Sequence, residues 1–312
     1  MFSEALYEKR KAIIVGANGQ DGRHLSAFLS DLGYDVFGVT RQNIDILIRS
    51  EVDDLVSSFQ PNEIYFLAAY HHSSEMRFET DAEVFEKSNA VHTVGVVHFL
   101  DAVSRLSPET RVFYASSSHI YPGNGLVPID EGMQARPQSF YALTKYNGML
   151  ACQYFREQKN VYVSCGVLFN HESSLRPDHF LSRKIAIAAA AVSHRKANSL
   201  ELGSMEAVVD WGYAPDYVDA MWRILQIDNA LDFIVATGEP HTVREFAEIA
   251  FRYVGLEYKN HIRLNPNLLS KSVEARIGNP KRLFAETGWV STRTFSEMVE
   301  NMVQNELDLL SS

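Results

Sequence analysis

Tyr141 and Lys145 stand four residues apart in Tyr141-Ala-Leu-Thr-Lys145, a spacing that puts both side chains on one face of a helix. An ammonium held there can stabilise the ionised phenol. A free phenol titrates near ~10, too high for a base in neutral solution, and the lysine would correct that. The same spacing also suits a half-exposed helix with an ordinary surface lysine, so the pair needs support from elsewhere in the chain. Three hydroxyls fall together at Ser116, Ser117 and Ser118, and glycines recur in Gly16-Ala-Asn-Gly-Gln-Asp-Gly22. Such glycines let the backbone approach a pyrophosphate, which then rests on the amides of a helix N-terminus. Their spacing departs from G-x-G-x-x-G, and a glycine-rich turn alone can be no more than a tight loop.

What precedes and follows that turn settles its meaning. Lys11-Ala-Ile-Ile-Val15 is an apolar run of strand length, and apolar residues recur at helical spacing from Leu25 to a stop at Gly33. Strands are predicted at 35–40, 63–68, 111–115 and 161–165, with helices at 51–59, 82–104 and 140–159. The alternation predicts an α/β fold, a doubly wound parallel sheet of Rossmann type with a smaller interleaved α/β substrate lobe. Residues 1–166 form the dinucleotide domain, to which 211–238 return, and 167–312 form mainly the substrate lobe. A helix is expected at 215–226, a strand at 233–236, and helices at 243–254, capped by Thr242, and 296–309. In such sheets ligands bind at the carboxyl ends of the strands, where the 111–115 strand delivers the serine cluster. At the end of the second strand an acidic residue would favour NAD, whereas this chain has Thr40-Arg41. Arg41 can pair with a 2′-phosphate, so NADP is expected, with NAD as the alternative.

The net charge of −10 argues against a nucleic-acid partner. Cys152 and Cys165 fall on a predicted helix and strand in a chain with no secretion signal, so reduced thiols and a cytoplasmic location are expected. The apolar run 185–192 is too short to span a bilayer and reads as a buried helix. No His/Cys/Asp/Glu grouping has metal-ligand spacing, so no metal is expected.

Glycine turn, serine cluster and Tyr-Lys pair, in this order, resemble the extended short-chain dehydrogenase/reductase family, which acts mainly on nucleotide sugars. Within it the chain is most similar to the GDP-mannose 4,6-dehydratase branch. The segments that carry the likeness are Gly16 to Gly22, Asn62-Glu-Ile-Tyr-Phe-Leu-Ala-Ala69, Leu168-Phe-Asn-His-Glu-Ser173, Arg183-Lys184-Ile185, Asp210-Trp-Gly212, Asp216-Tyr-Val-Asp-Ala-Met-Trp222 and Ala236-Thr-Gly-Glu239. The resemblance implies catalytic roles for Ser117, Tyr141, Lys145 and His119. It implies a dinucleotide held by Gly16, Asn18, Gly19, Gln20, Asp21, Gly22, Arg41, Leu67, Ala68 and Ala69, together with Tyr141 and Lys145. Ser117, Ser118, His119, Asn170, Arg183 and Lys184 are the implied substrate contacts, and a GDP-linked sugar is the favoured substrate. A dimer through the 82–104 and 140–159 helices, or a higher homo-oligomer, is implied as well.

Several positions depart from that branch. Its Ser-Thr-Ser-Glu reads Ser116-Ser117-Ser118-His119 here, so the glutamate that moves protons at C5 and C6 of the sugar is His119, while Ser117 keeps a hydroxyl for the 4-oxygen. The arginine before Asp-Trp-Gly is Val209, and an Arg-Pro-x-Glu segment aligns with 269–272 without either charge. The loop after the second strand is shortened to Gln42-Asn-Ile44. Oxidation at C4 is therefore expected to survive. Dehydration depends on His119, and a 4-dehydrogenase, 4-epimerase or 4-keto reductase acting on a related GDP-sugar, such as a GDP-heptose, is the alternative, with a non-catalytic dinucleotide sensor as the reading from another class. His71 and His72 either line the sugar pocket or are satisfied loop histidines. Asn170 is a phosphate contact or a turn residue, and Glu172 is structural.

Overall fold

The computed structural model describes residues 9–70, 80–268 and 274–311; His71, His72 and the 269–272 segment lie outside them. Five strands alternate with helices: β1 (Lys11–Val15), α1 (Gln20–Asp31), β2 (Asp35–Val39), α2 (Arg49–Phe59), β3 (Glu63–Phe66), α3 (Asp81–Asn89), α4 (Val96–Leu106), β4 (Arg111–Ser117), α5 (Phe140–Lys159) and β5 (Val163–Leu168). There follow β6 (Asn170–Glu172), α6 (Leu181–Ser193), β7 (Leu200–Leu202), β8 (Val208–Tyr213), α7 (Ala214–Ile224), β9 (Phe233–Val235), β10 (Pro240–Thr242), α8 (Val243–Tyr253), β11 (Ile262–Leu264), α9 (Lys281–Thr287) and α10 (Phe295–Ser311).

The main sheet is wholly parallel in the order β2-β1-β3-β4-β5-β9. Its strands are apolar on both faces because helices cover both. On one side Ile13, Phe66, Val112 and Val163 pack with residues of α2, α4 and α5. On the other, Ile14, Tyr65, Phe113 and Phe233 meet α1 and α7. The chain leaves β1 for β2 and returns on the far side as β3, so a crevice opens between the carboxyl ends of β1 and β3.

The second lobe has its own core, in which Trp211 and Phe246 pack with α6, α8 and α10. β8 belongs to the small sheet β10-β8-β6, whereas β9 returns to the main sheet and α7 packs on α1. Thr242 caps α8 in a reciprocal box with Glu245, the N3 residue that accepts from the Thr242 backbone N–H at 2.6 Å.

Most expected boundaries shift by one or two residues, and the larger differences have identifiable causes. The 82–104 helix is interrupted by a π-helical turn, Ala90–Gly95, between α3 and α4. β4 runs on through the polar Ser116 and Ser117 because they pair with Val167 and Leu168, and that pairing also draws β5 beyond Cys165.

Candidate active site

Gly16 follows β1 at φ +95, and a Cβ there would lie 2.9 Å from the Ala68 amide nitrogen. Gly22, in the first turn of α1, is as constrained, since a Cβ would sit 2.4 Å from the Gly16 carbonyl oxygen. Side chains at either position would force turn, helix and β3 apart. The N-cap of α1 is Gly19, which offers no side chain to the first amides of the helix. They border a groove of about 920 Å³ lined by Gly16, Asn18, Gly19, Gln20, Asp21, Gly22, Arg41, Leu67, Ala68 and Ala69. A nicotinamide dinucleotide fits this cradle: close backbone for a pyrophosphate, a helix N-terminus, and a guanidinium at the end of β2.

A second cleft of about 270 Å³ adjoins the groove, sharing Asp21, Leu67, Ala69, Arg176 and Phe180 with it. Its remaining wall brings together Ser116, Ser117, Ser118, His119, Tyr141, Lys145, Asn170 and His171. The serines arrive on β4, Tyr141 and Lys145 on α5, and Asn170 on β6. Ser139 starts α5 by accepting from the Ala142 N–H at 3.2 Å, so Tyr141 lies in the first turn. The His119 ring stands edge-on to Tyr141 with centroids 6.2 Å apart.

Burial pushes the Tyr141 phenol up, while the Ser117 hydrogen bond and the Arg176 charge pull it back and Asp21 opposes them. Lys145 donates its ammonium to the Ala115 carbonyl at 2.8 Å, and Arg176 adds a positive charge that favours the phenolate. Only 2% of Lys145 is exposed, and burial lowers its pKa to about 7 against some support from Asp21.

Asp21 is held from β6 of the second lobe. Both its oxygens lie 2.9 Å from His171 Nε2, and His171 Nδ1 faces the Phe169 carbonyl at 2.7 Å. Burial alone would raise the Asp21 carboxyl, but the charge and hydrogen bond of His171, with Gln20 and Arg176, hold it at about 2. Burial would lower His171, and its pairing with Asp21 raises it instead. Gln20 donates to the His171 carbonyl and accepts from Ser173, so the glycine turn is stitched to β6.

Arg183 does not reach this cleft. Its Nε pairs with Glu306 of α10 at 2.6 Å and its Nη1 donates to the Arg176 carbonyl at 3.3 Å, so it braces two parts of the second lobe. Lys184, its neighbour on α6, does not line either cleft. Glu172 accepts from Ser182 at 2.6 Å and pairs with Arg176 at 3.2 Å, a structural role that also aims the arginine.

Sequence reading missed two members of the site, Arg176 and His171. Arg176 lines both clefts and lies over the Phe180 ring, 3.8 Å from its centroid. Its position four residues after Glu172 was the available signal.

A family model described as GDP-mannose 4,6 dehydratase matches residues 42–302. GDP-mannose 4,6 dehydratase 2 of Caenorhabditis elegans is 32% identical, over 99% of this chain and 92% of its own length. The GDP-mannose 4,6-dehydratase of Yersinia enterocolitica is 31% identical, over 96% and 94%. Among solved structures, RMD from Pseudomonas aeruginosa complexed with NADPH superposes with a TM-score of 0.85 at 21% identity, over 96% of this chain and 98% of that one. The dTDP-glucose 4,6-dehydratase of Bacillus anthracis in complex with NAD gives 0.79 at 16% identity, over 95% and 96%. At such identities the superpositions show a shared fold.

Proposed function

This chain belongs to the GDP-mannose 4,6-dehydratase family, and on that premise we propose that it is an NAD(P)-dependent enzyme that oxidises C4 of a GDP-linked sugar and then dehydrates it. The observation that carries the reading is the meeting of Ser117, Tyr141 and Lys145 in a cleft that opens into the glycine groove. A nicotinamide dinucleotide, when bound, supplies the acceptor for the C4 hydride, and NADP is favoured over NAD by Arg41.

Tyr141 takes the proton of the C4 hydroxyl. Ser117, already hydrogen-bonded to the phenol, orients that hydroxyl, and the Arg176 charge stabilises the phenolate. Lys145 is anchored on the Ala115 carbonyl and keeps its other N–H donors for a ribose hydroxyl of the dinucleotide. The ketone formed at C4 acidifies the C5–H. His119, in the same cleft, removes that proton as a neutral base and passes it to the departing C6 hydroxyl, which leaves as water; the C5–C6 double bond so formed takes back the hydride at C6 and a proton at C5, so the net change is the loss of one water. Asn170 is the proposed contact for the substrate diphosphate.

A second reading, redox at C4 without loss of water, is favoured by His119 itself. An imidazole differs from a carboxylate in charge and reach, and elimination is the step it would impair. Product masses after incubation with GDP-mannose and other GDP-sugars decide. Loss of one water supports dehydration, loss of two hydrogens supports release of the ketone, and a Tyr141→Phe variant as active as wild type would refute both.

A further inference from the structure

We propose that His92 is a positioning residue for this reaction, clamping the turn of α5 that carries Tyr141 to the backbone leaving β3. The inference rests on the reading of Tyr141 as the base. His92 is fully buried in the π-helical turn Ala90–Gly95. Its Nε2 accepts from the Tyr70 amide at 2.9 Å, so that nitrogen bears no proton and Nδ1 carries it. The Nδ1 proton then points at Thr144 Oγ1, 2.8 Å away. Thr144 passes the chain of bonds on, donating to the Phe140 carbonyl at 2.9 Å, with the Tyr141 carbonyl at 3.1 Å. One neutral tautomer thus links Tyr70, directly after the cleft-lining Ala69, to Thr144, which stands between Tyr141 and Lys145. The His92 ring also meets the Tyr141 ring edge-on, with centroids 5.3 Å apart and planes at 89°.

The π turn is shaped for this contact. Widening the helix by one residue frees backbone carbonyls, and that of His92 accepts from the Tyr114 hydroxyl at 3.1 Å. Thr93 donates to the Thr144 carbonyl at 3.3 Å. The approach is close enough that a Cβ at Gly148 of α5 would lie 2.4 Å from the His92 carbonyl oxygen. Tyr141 is thereby held from behind by a hydrogen-bonded ring that touches neither groove.

The test compares His92→Phe, which keeps a ring and loses both bonds, with His92→Gln, whose amide can accept from Tyr70 and donate to Thr144. In His92→Phe, kcat should fall about 30-fold with KM for the sugar unchanged within about twofold, as expected for misplacement of a reacting group. His92→Gln should recover most of that loss. Thr144→Val should lower kcat too, and the double variant should be no worse than His92→Phe alone, because both act on one path. An active wild type with an unimpaired His92→Phe, or a KM effect with kcat intact, overturns the proposal. A wild type inert toward GDP-sugars counts instead against the reading of Tyr141. The decision on His92 then passes to the ultraviolet titration of that phenol, taken as the difference from Tyr141→Phe. A midpoint that moves in His92→Phe and returns in His92→Gln supports the clamp, and one unmoved in both overturns it.

Discussion

Lys145 should be costly to the fold that holds it. A buried ammonium whose pKa falls from 10.5 to about 7 destabilises the folded protein by about 5 kcal/mol wherever it stays charged. The sign follows from proton counting. Between pH 7 and 10.5 the unfolded lysine holds a proton that the folded one has lost, so stability rises with pH across that window. The cost is full below pH 7, about 4 kcal/mol at pH 7, about 2 at pH 9, and gone above 10.5. Lys145→Met keeps the length of the side chain and removes the charge. It also leaves the Ala115 carbonyl without its 2.8 Å donor, a loss of about 2 kcal/mol at every pH. Lys145→Met should therefore be more stable than wild type by about 3 kcal/mol at pH 6, near parity at pH 9, and less stable at pH 10. For 312 residues unfolding carries roughly 0.65 kcal/mol per degree, so the gain at pH 6 is about 5 °C in Tm. Calorimetry of the ligand-free protein from pH 6 to 10 measures it, while the same variant should lose activity at least about 100-fold. A stability difference independent of pH, or wild type the more stable at pH 6, would refute the burial argument for this lysine.

Other outcomes follow from the same geometry. Asp21→Asn should lose about 2 kcal/mol at neutral pH, because a carboxyl lowered from 3.8 to about 2 contributes stability above 3.8 that is lost as pH falls through 2; urea titration at pH 7 and pH 3 should show the gap narrowing. Arg41→Ala should raise KM for NADP about 10-fold or more while changing KM for NAD less than about twofold, read from initial rates with each dinucleotide. His119→Glu should increase the share of product that has lost one water, as followed by mass. Glu306→Gln should destabilise the substrate lobe by about 2–3 kcal/mol, since Arg183 loses its ion partner, and thermal unfolding checks it.

The parts of the site legible in the sequence were those fixed by local pattern. The apolar run into Gly16 gave β1 to the residue, and Phe140 to Lys159 is the α5 that places Tyr141 and Lys145 in register. The illegible parts are set by partners far along the chain. A 3.6 periodicity runs unbroken through residues 90–95, and the π turn exists because His92, Thr93 and Tyr114 dock it on α5. Ser116 and Ser117 are polar enough to read as loop, yet the strand continues because their backbone pairs with β5. Arg183 looked like a nucleotide contact on its own helix, but Glu306 lies 123 positions on, and only the packing of α10 on α6 shows which carboxylate claims it. Arg176 and His171 escaped notice for the same reason, since Asp21 and Tyr141, the groups they act upon, come from other elements.

The account turns on removal of hydride from C4 of a sugar with Tyr141 as base. A GDP-sugar carrying deuterium at C4, incubated with the protein and NADP, tests this directly. The label should leave C4, appearing on the dinucleotide or at C6 of a dehydrated product, with a slowed rate for the labelled sugar and no transfer in Tyr141→Phe. Product that keeps deuterium on a C4 of unchanged configuration, or equal transfer by Tyr141→Phe, would contradict it.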